Sequence, residues 1–322
     1  MDQLRTQLAA CARDVFVNCS GGVWRSPLAV AVDPFWWREP GHIASFVSFG
    51  VDALVEAWSP LLAKANLDVR ITGVFCHQSP KVAMISSAGV IPPPGECELG
   101  DLLIVHEHEV GAARKRRAIL LQAKMLTGGG AANANQEFLY EHWPDFSIKR
   151  PRVFDSRARD VRDNTDGGKY LLIHEPPWGR SPWDIQAGSR TGPIESFADA
   201  LVRMLDYDGA ADRGRVADKT GDGWSELVDD LLKQLHLRTF AEKGLLGPGV
   251  KAHRIVEATS SASLVAYAGI QPEPVWYVTS GSSSFVGARM GGGSDGPEDV
   301  ETEEFTPSGC AILIQTSVKP DS

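Results

Sequence analysis

Two short apolar runs, each interrupted by polar residues toward one end, constrain this chain more than any other feature. The first is Glu98-Leu99-Gly100-Asp101-Leu102-Leu103-Ile104-Val105, and the second is Ala118-Ile119-Leu120-Leu121-Gln122-Ala123-Lys124-Met125. Neither has helical spacing and both are bounded by turn or charged residues, so each is expected to be a strand. Gly111-Ala112-Ala113-Arg114-Lys115-Arg116-Arg117 supplies the turn between them. A connection this short joins neighbouring antiparallel strands, which predicts a hairpin. A turn centred between Ala112 and Ala113 places Asp101 across from Lys124. Side chains alternate along a strand, so Gln122 and Lys124 share a face. A carboxylate, an amide and an ammonium therefore meet at one end of the hairpin.

Strands covered on both faces are nearly all apolar, and a buried ion without a partner costs several kcal/mol. The three polar groups are thus either satisfied among themselves or employed in chemistry. In the first case Asp101 and Lys124 form a buried pair and Gln122 bonds to backbone.

The same residues resemble the core of the PD-(D/E)xK nuclease superfamily in its QxK variant, which sets an acid on one strand and a (D/E/Q)-x-K triplet on the next. Gly100-Asp101 and Gln122-Ala123-Lys124 match those positions, within residues 100–124 of 322. The resemblance implies a restriction-endonuclease-like α+β or α/β fold, a mixed central sheet flanked by helices. It implies Asp101 as metal ligand and catalytic residue, Gln122 at the usual second acidic position, and Lys124 stabilising charge on the phosphate. The residue directly before Asp101 is Gly100 and not proline, although Pro92-Pro93-Pro94 lie just upstream, and Gln122 is neutral, so the metal needs a further acid. Relatives with Gln here draw one from the first helix. Glu56 is the first candidate for that catalytic and metal-binding role and Glu39 the second, while an exposed polar helix face is the plain alternative for Glu56. Glu98 is a reserve ligand, because at three residues from Asp101 it points to the opposite face of a regular strand.

The function implied is a metal-dependent hydrolase of DNA phosphodiester bonds, in restriction or phage defence, with a homodimer or a defence-system protein as partner. The alternative is a catalytically inactive nuclease-fold protein that binds nucleic acid or a protein. The chemistry fits Mg²⁺, with Mn²⁺ substituting. Such an ion, held by one or two carboxylates, supplies a nucleophilic water and neutralises charge on the phosphate.

A net charge of −9 argues against coating nucleic acid with the whole surface, so local basic clusters must do the work. Arg114, Lys115, Arg116 and Arg117 at the hairpin tip are candidate phosphate contacts, as are Lys149 and Arg150 at the head of a second basic stretch. That stretch runs through Arg152, Arg157, Arg159, Arg162 and Lys169, and the interleaved Asp155, Asp160, Asp163 and Asp166 give it a second reading as a solvated loop. The five cysteines are scattered without a CxxC, as expected of reduced thiols in a cytoplasmic protein. No apolar run reaches membrane-spanning length, so no membrane partner is expected.

Residues 2–17 and 41–64 carry helical stripes, and Val69–Cys76 and Lys81–Ile85 read as strands. Trp24, Trp36 and Trp37 are expected in an aromatic corner. His106 and His108 form an HxH pair, but no third ligand for zinc stands at a suitable spacing. Asn133–His142 is expected to be a short helix stopped by Trp143-Pro144, with Gln136 facing the site. A strand is expected at 169–174 and helices at 194–205 and 224–240. The nuclease core is assigned to 1–243. A β-rich C-terminal extension follows over 244–322, with strands near 264–268, 275–278, 284–288 and 310–316 and an acidic, Gly-rich loop at 290–308.

Overall fold

The computed structural model describes residues 2–25, 39, 42–43, 46, 50–74, 80–86, 91–110, 113–126, 133–150, 155–162, 166–177, 181–187, 192–205 and 214–236, with strands at 262–265, 275–280, 284–289 and 311–318. The expectations for Trp36, Trp37 and the 290–308 loop fall outside these residues, as does that for the Trp24 side chain. The chain runs α1 (Asp2–Arg25), α2 (Val51–Lys64), β1 (Leu67–Val74), β2 (Lys81–Met84), β3 (Glu96–Glu98), β4 (Leu102–Val110), β5 (Ala113–Met125), α3 (Ala134–His142), β6 (Phe146–Arg150), β7 (Ala158–Arg159), β8 (Gly168–Ile173), β9 (Trp183–Ala187), β10 (Ile194–Ser196), α4 (Phe197–Met204), β11 (Arg215–Val216) and α5 (Gly223–His236). Four strands follow: β12 (Ala262–Val265), β13 (Val275–Ser280), β14 (Ser284–Arg289) and β15 (Ala311–Val318).

A mixed eight-stranded sheet in the order β1-β15-β4-β5-β8-β9-β10, with β11 alongside β5, forms the centre. The β15–β4 and β5–β8 pairs are parallel and the other pairs on that path antiparallel. The last strand of the chain therefore lies inside the central sheet, between β1 and β4, although the sequence grouped it with the C-terminal extension. A four-stranded sheet (β3-β2-β6-β7) and a three-stranded one (β12-β13-β14) complete the strand inventory of the described residues.

Alternation along the central strands sorts the core into two layers. Leu102, Ile104, Ile119, Leu121, Ala123, Leu171 and Ile173 point to a first face, where α1, α2 and α4 pack. Leu103, Val105, Ala118, Leu120, Tyr170 and Leu172 point to a second face, covered by α3, β6 and α5. Two covered faces explain why the central runs are almost wholly apolar. Val51, Leu54, Trp58 and Leu62, three or four residues apart, form the buried stripe of α2. Complete burial of a side chain such as Leu54 stabilises by about 2 kcal/mol, and Trp58 also donates its indole N–H to the Leu8 carbonyl at 3.0 Å.

On the second face, α3 starts where the Asn133 side chain accepts the Asn135 N–H at 2.9 Å. It ends at Trp143, whose φ of 44° turns the chain and whose N–H reaches the Leu139 carbonyl. The Trp143 ring lies across Gly168 so closely that a Cβ there would come within 1.8 Å of it. That contact seats α3 against the start of β8.

Candidate functional site

β4 and β5 form the expected hairpin, in a register running from Val110↔Ala113 to Leu102↔Leu121. This is displaced by two residues from the expected pairing, because Val110 and Ala113 pair directly. Asp101, one residue before the ladder, comes opposite Gln122 instead of Lys124, and its N–H bonds to the Leu121 carbonyl at 2.8 Å. A displacement of two preserves the alternation, so Lys124 stays on the face of Asp101 and Gln122. That face is the second one, beneath α3.

Gln122 Nε2 donates to Asp101 Oδ2, which also accepts the Ala123 N–H at 2.8 Å. Gln136 of α3 donates to Gln122 Oε1 at 3.0 Å and accepts from Lys124 Nζ at 3.2 Å. Lys124, Gln136, Gln122 and Asp101 thus form one hydrogen-bonded chain, in which both amides act as donor and acceptor. Tyr140, one turn beyond Gln136 on α3, donates to the Leu99 carbonyl at 2.9 Å. It holds the chain just ahead of Asp101. Gly100 fits there because a Cβ would stand 2.9 Å from both the Leu120 side chain and Tyr140 Oη.

Two further carboxylates act on the trio through their charge. Glu98 ends β3, where it pairs with Lys81 in the four-stranded sheet. Its neighbour Leu99 donates to the Pro80 carbonyl at 2.8 Å, and the chain then crosses into the central sheet. The change of sheet breaks the alternation that would send Glu98 to the opposite face. Glu39 accepts the Met125 N–H at 3.0 Å, at the end of β5.

The electrostatics bind these groups together. Burial pushes the Asp101 carboxyl up to about 7, and repulsion from Glu98 and, more weakly, Glu39 adds to the rise; Lys124 and the Ala123 N–H oppose it. Burial likewise raises Glu98, with Lys124 and Lys81 pulling it down and Glu39 pushing it up.

Glu56 is not brought to this cluster. It lies on the exposed side of α2, whose buried stripe packs on the first face of the sheet. Glu39, the second candidate, and Glu98, the reserve, are the described acids whose charges raise the Asp101 carboxyl.

The basic residues also differ from expectation. Arg116 points into the second layer, where it donates to the Ala217 carbonyl at 2.7 Å and pairs with Asp229 of α5 at 2.7 Å. Arg117 donates to the Gly214 carbonyl at 3.3 Å. These arginines brace β5 against β11 and α5 and are not presented as a phosphate-binding tip. Lys115 and Lys149 are exposed, and the side chains of Arg114 and Arg150 lie outside the described residues. In the second stretch, buried Arg159 bonds Asp155 and Asp230, while Arg162 pairs with Asp160, so Asp155 and Asp160 are internal partners. His106 is buried, its Nδ1 2.9 Å from the Met204 carbonyl, and burial lowers its pKa to about 3.

Among the described residues, no group of three or more His, Cys, Asp or Glu side chains is gathered tightly enough to hold a metal unaided. Mg²⁺ is less demanding, since it keeps several waters and takes one or two carboxylates. Oxygen donors that repel one another, with the Asp101 carboxyl raised by burial and by Glu98, suit such a cation. Both donors to the Asp101 carboxylate use Oδ2, which leaves Oδ1 for a ligand.

The chain matches no family model, and no curated protein or solved structure is significantly similar to it. No helix among the described residues is long and apolar enough to cross a membrane.

Proposed function

We propose that this protein is a Mg²⁺-dependent endodeoxyribonuclease with a restriction-endonuclease-like core. The observation that carries the reading is the convergence of Asp101, Gln122 and Lys124 on one sheet face, with Glu98 and Glu39 as electrostatic neighbours. Asp101 and Glu98 would hold the cation, which when bound supplies a polarised water and offsets charge on the phosphate. Gln122 fixes the orientation of the Asp101 carboxylate. Gln136 holds the Lys124 ammonium over the same face, where it stabilises the phosphate as negative charge grows. A role in restriction or phage defence, as a homodimer or with a defence-system protein, belongs to the same reading and rests on family analogy.

A second reading is a nuclease-fold protein that binds DNA or a protein partner without cutting. The neutral amide at 122, closed onto Asp101 Oδ2, favours it. Incubation of supercoiled plasmid with Mg²⁺ or Mn²⁺ separates the two. Nicking that is lost in Lys124→Ala supports the enzyme. DNA binding without nicking supports the binder, and neither binding nor nicking overturns both.

A further inference from the structure

We infer that His174, held by Asp184, is a second phosphate-contact point on the sheet face that carries Lys124. This rests on the nucleic-acid reading above, although not on cleavage. Lys124 pairs with Leu172 across the parallel β5–β8 ladder, and Leu172 pairs with Asp184 across β8–β9. The three residues form one row across the sheet, and side chains in such a row share a face. Leu172 belongs to the second-face core, so Asp184 projects to the second face too. His174 lies two residues beyond Leu172. The pleat continues to it, because its N–H bonds to the Pro182 carbonyl at 2.8 Å and the Leu126 N–H bonds to the Ile173 carbonyl at 2.9 Å. His174 therefore shares the face of Lys124, with Cα atoms on the order of 8 Å apart from strand spacing and rise.

The imidazole is aimed by a carboxylate, with Nε2 2.9 Å from Asp184 Oδ2. The pair is neither sealed in the core nor loose at the surface, since the side chains are 27% and 21% exposed. An imidazole already oriented by a carboxylate contacts an anion without having to be ordered on binding. Within reach of Lys124, the anion it fits is the phosphate beside the one that Lys124 would engage. The competing role is structural, a tie between β8 and β9.

The test is equilibrium binding of the full chain to a short fluorescein-labelled DNA duplex in EDTA. It is run near pH 6, from about 50 to 200 mM NaCl. His174→Gln is expected to weaken binding about tenfold at the lowest salt, and to lower the slope of log K against log[salt] by about 0.9. Its Tm should match wild type, because glutamine can still donate to Asp184. Asp184→Asn should move both binding readouts in the same direction, by less. Unchanged affinity and slope in His174→Gln would overturn the inference, as would a lower Tm with an unchanged slope. A wild-type chain that binds no DNA overturns both this contact and the nuclease reading. One that binds but does not nick plasmid in Mg²⁺ removes the nuclease reading alone.

Discussion

Replacing Asp101 with Asn should make the protein more stable at alkaline pH, and the gain should vanish in acid. The carboxyl is held up at about 7 by burial, Glu98 and Glu39, against an ordinary 3.8. A gap of that size corresponds to about 4 kcal/mol. The sign follows from proton counting. Below about pH 4 both folded and unfolded chains hold the proton, and the residue contributes nothing. Between about 4 and 7 the folded chain keeps a proton that the unfolded chain has lost, so stability falls as pH rises. Above about 7 the full cost of the buried charge remains. Asp101 retains some exposure, so the observable gain should be smaller, about 1–3 kcal/mol. An Asn oxygen in the place of Oδ2 keeps the bonds from Gln122 and the Ala123 N–H, so the substitution removes charge with little loss of contact. Denaturant unfolding of both proteins in EDTA, from about pH 4 to 9, gives the difference curve. His42 and His106, lowered to about 4 and 3 by burial, make both proteins gain stability as pH rises toward 6.5, and they cancel in the difference. A flat difference, or an Asn variant that is less stable above pH 7, would refute the reasoning.

Other expectations follow from the same geometry. Glu39→Gln should raise the Mg²⁺ concentration needed for plasmid nicking while Glu56→Gln leaves it unchanged; equal effects would remove the distinction between an acid whose charge reaches Asp101 and one that is exposed on α2. Gln136→Leu should lower the nicking rate while leaving DNA affinity close to wild type, since it frees Lys124 without deleting it, and single-turnover kinetics would show the split. Gly168→Ala drives a methyl into the Trp143 ring, and should cost about 1–3 kcal/mol in urea unfolding. Asp230→Ala leaves the buried Arg159 with Asp155 as its remaining carboxylate, and should cost about 2–4 kcal/mol by the same measurement.

The hairpin, its alternation and the shared face of Asp101, Gln122 and Lys124 were legible from two apolar runs, because strand parity is local. The register was displaced by two because the turn residues do not announce where pairing stops, yet parity protected the face. Glu98 was misjudged since nothing in Cys97-Glu98-Leu99-Gly100 says that the chain changes sheets there. Glu56 is ranked ahead of Glu39 by the sequence, yet it lies on the exposed side of α2, away from Asp101. Which acid reaches β5 depends on which sheet face α2 covers, and that is a tertiary outcome. The arginines at 116 and 117 read as a basic tip because their partners lie about a hundred residues away, near Gly214, Ala217 and Asp229. The insertion of β15 between β1 and β4 was hidden for the same reason. Gln136 was within reach of the sequence, because a polar residue near the start of α3 follows directly on the strand that carries Lys124.

The most direct measurement of whether this face is a divalent-cation site is anomalous diffraction from a crystal soaked in Mn²⁺. The account predicts a peak within bonding distance of Asp101 Oδ1, about 2.2 Å, with Glu98 as the second protein ligand or joined through water. A well-ordered Asp101 still closed onto Gln122, with Mn²⁺ bound elsewhere or nowhere, would contradict it.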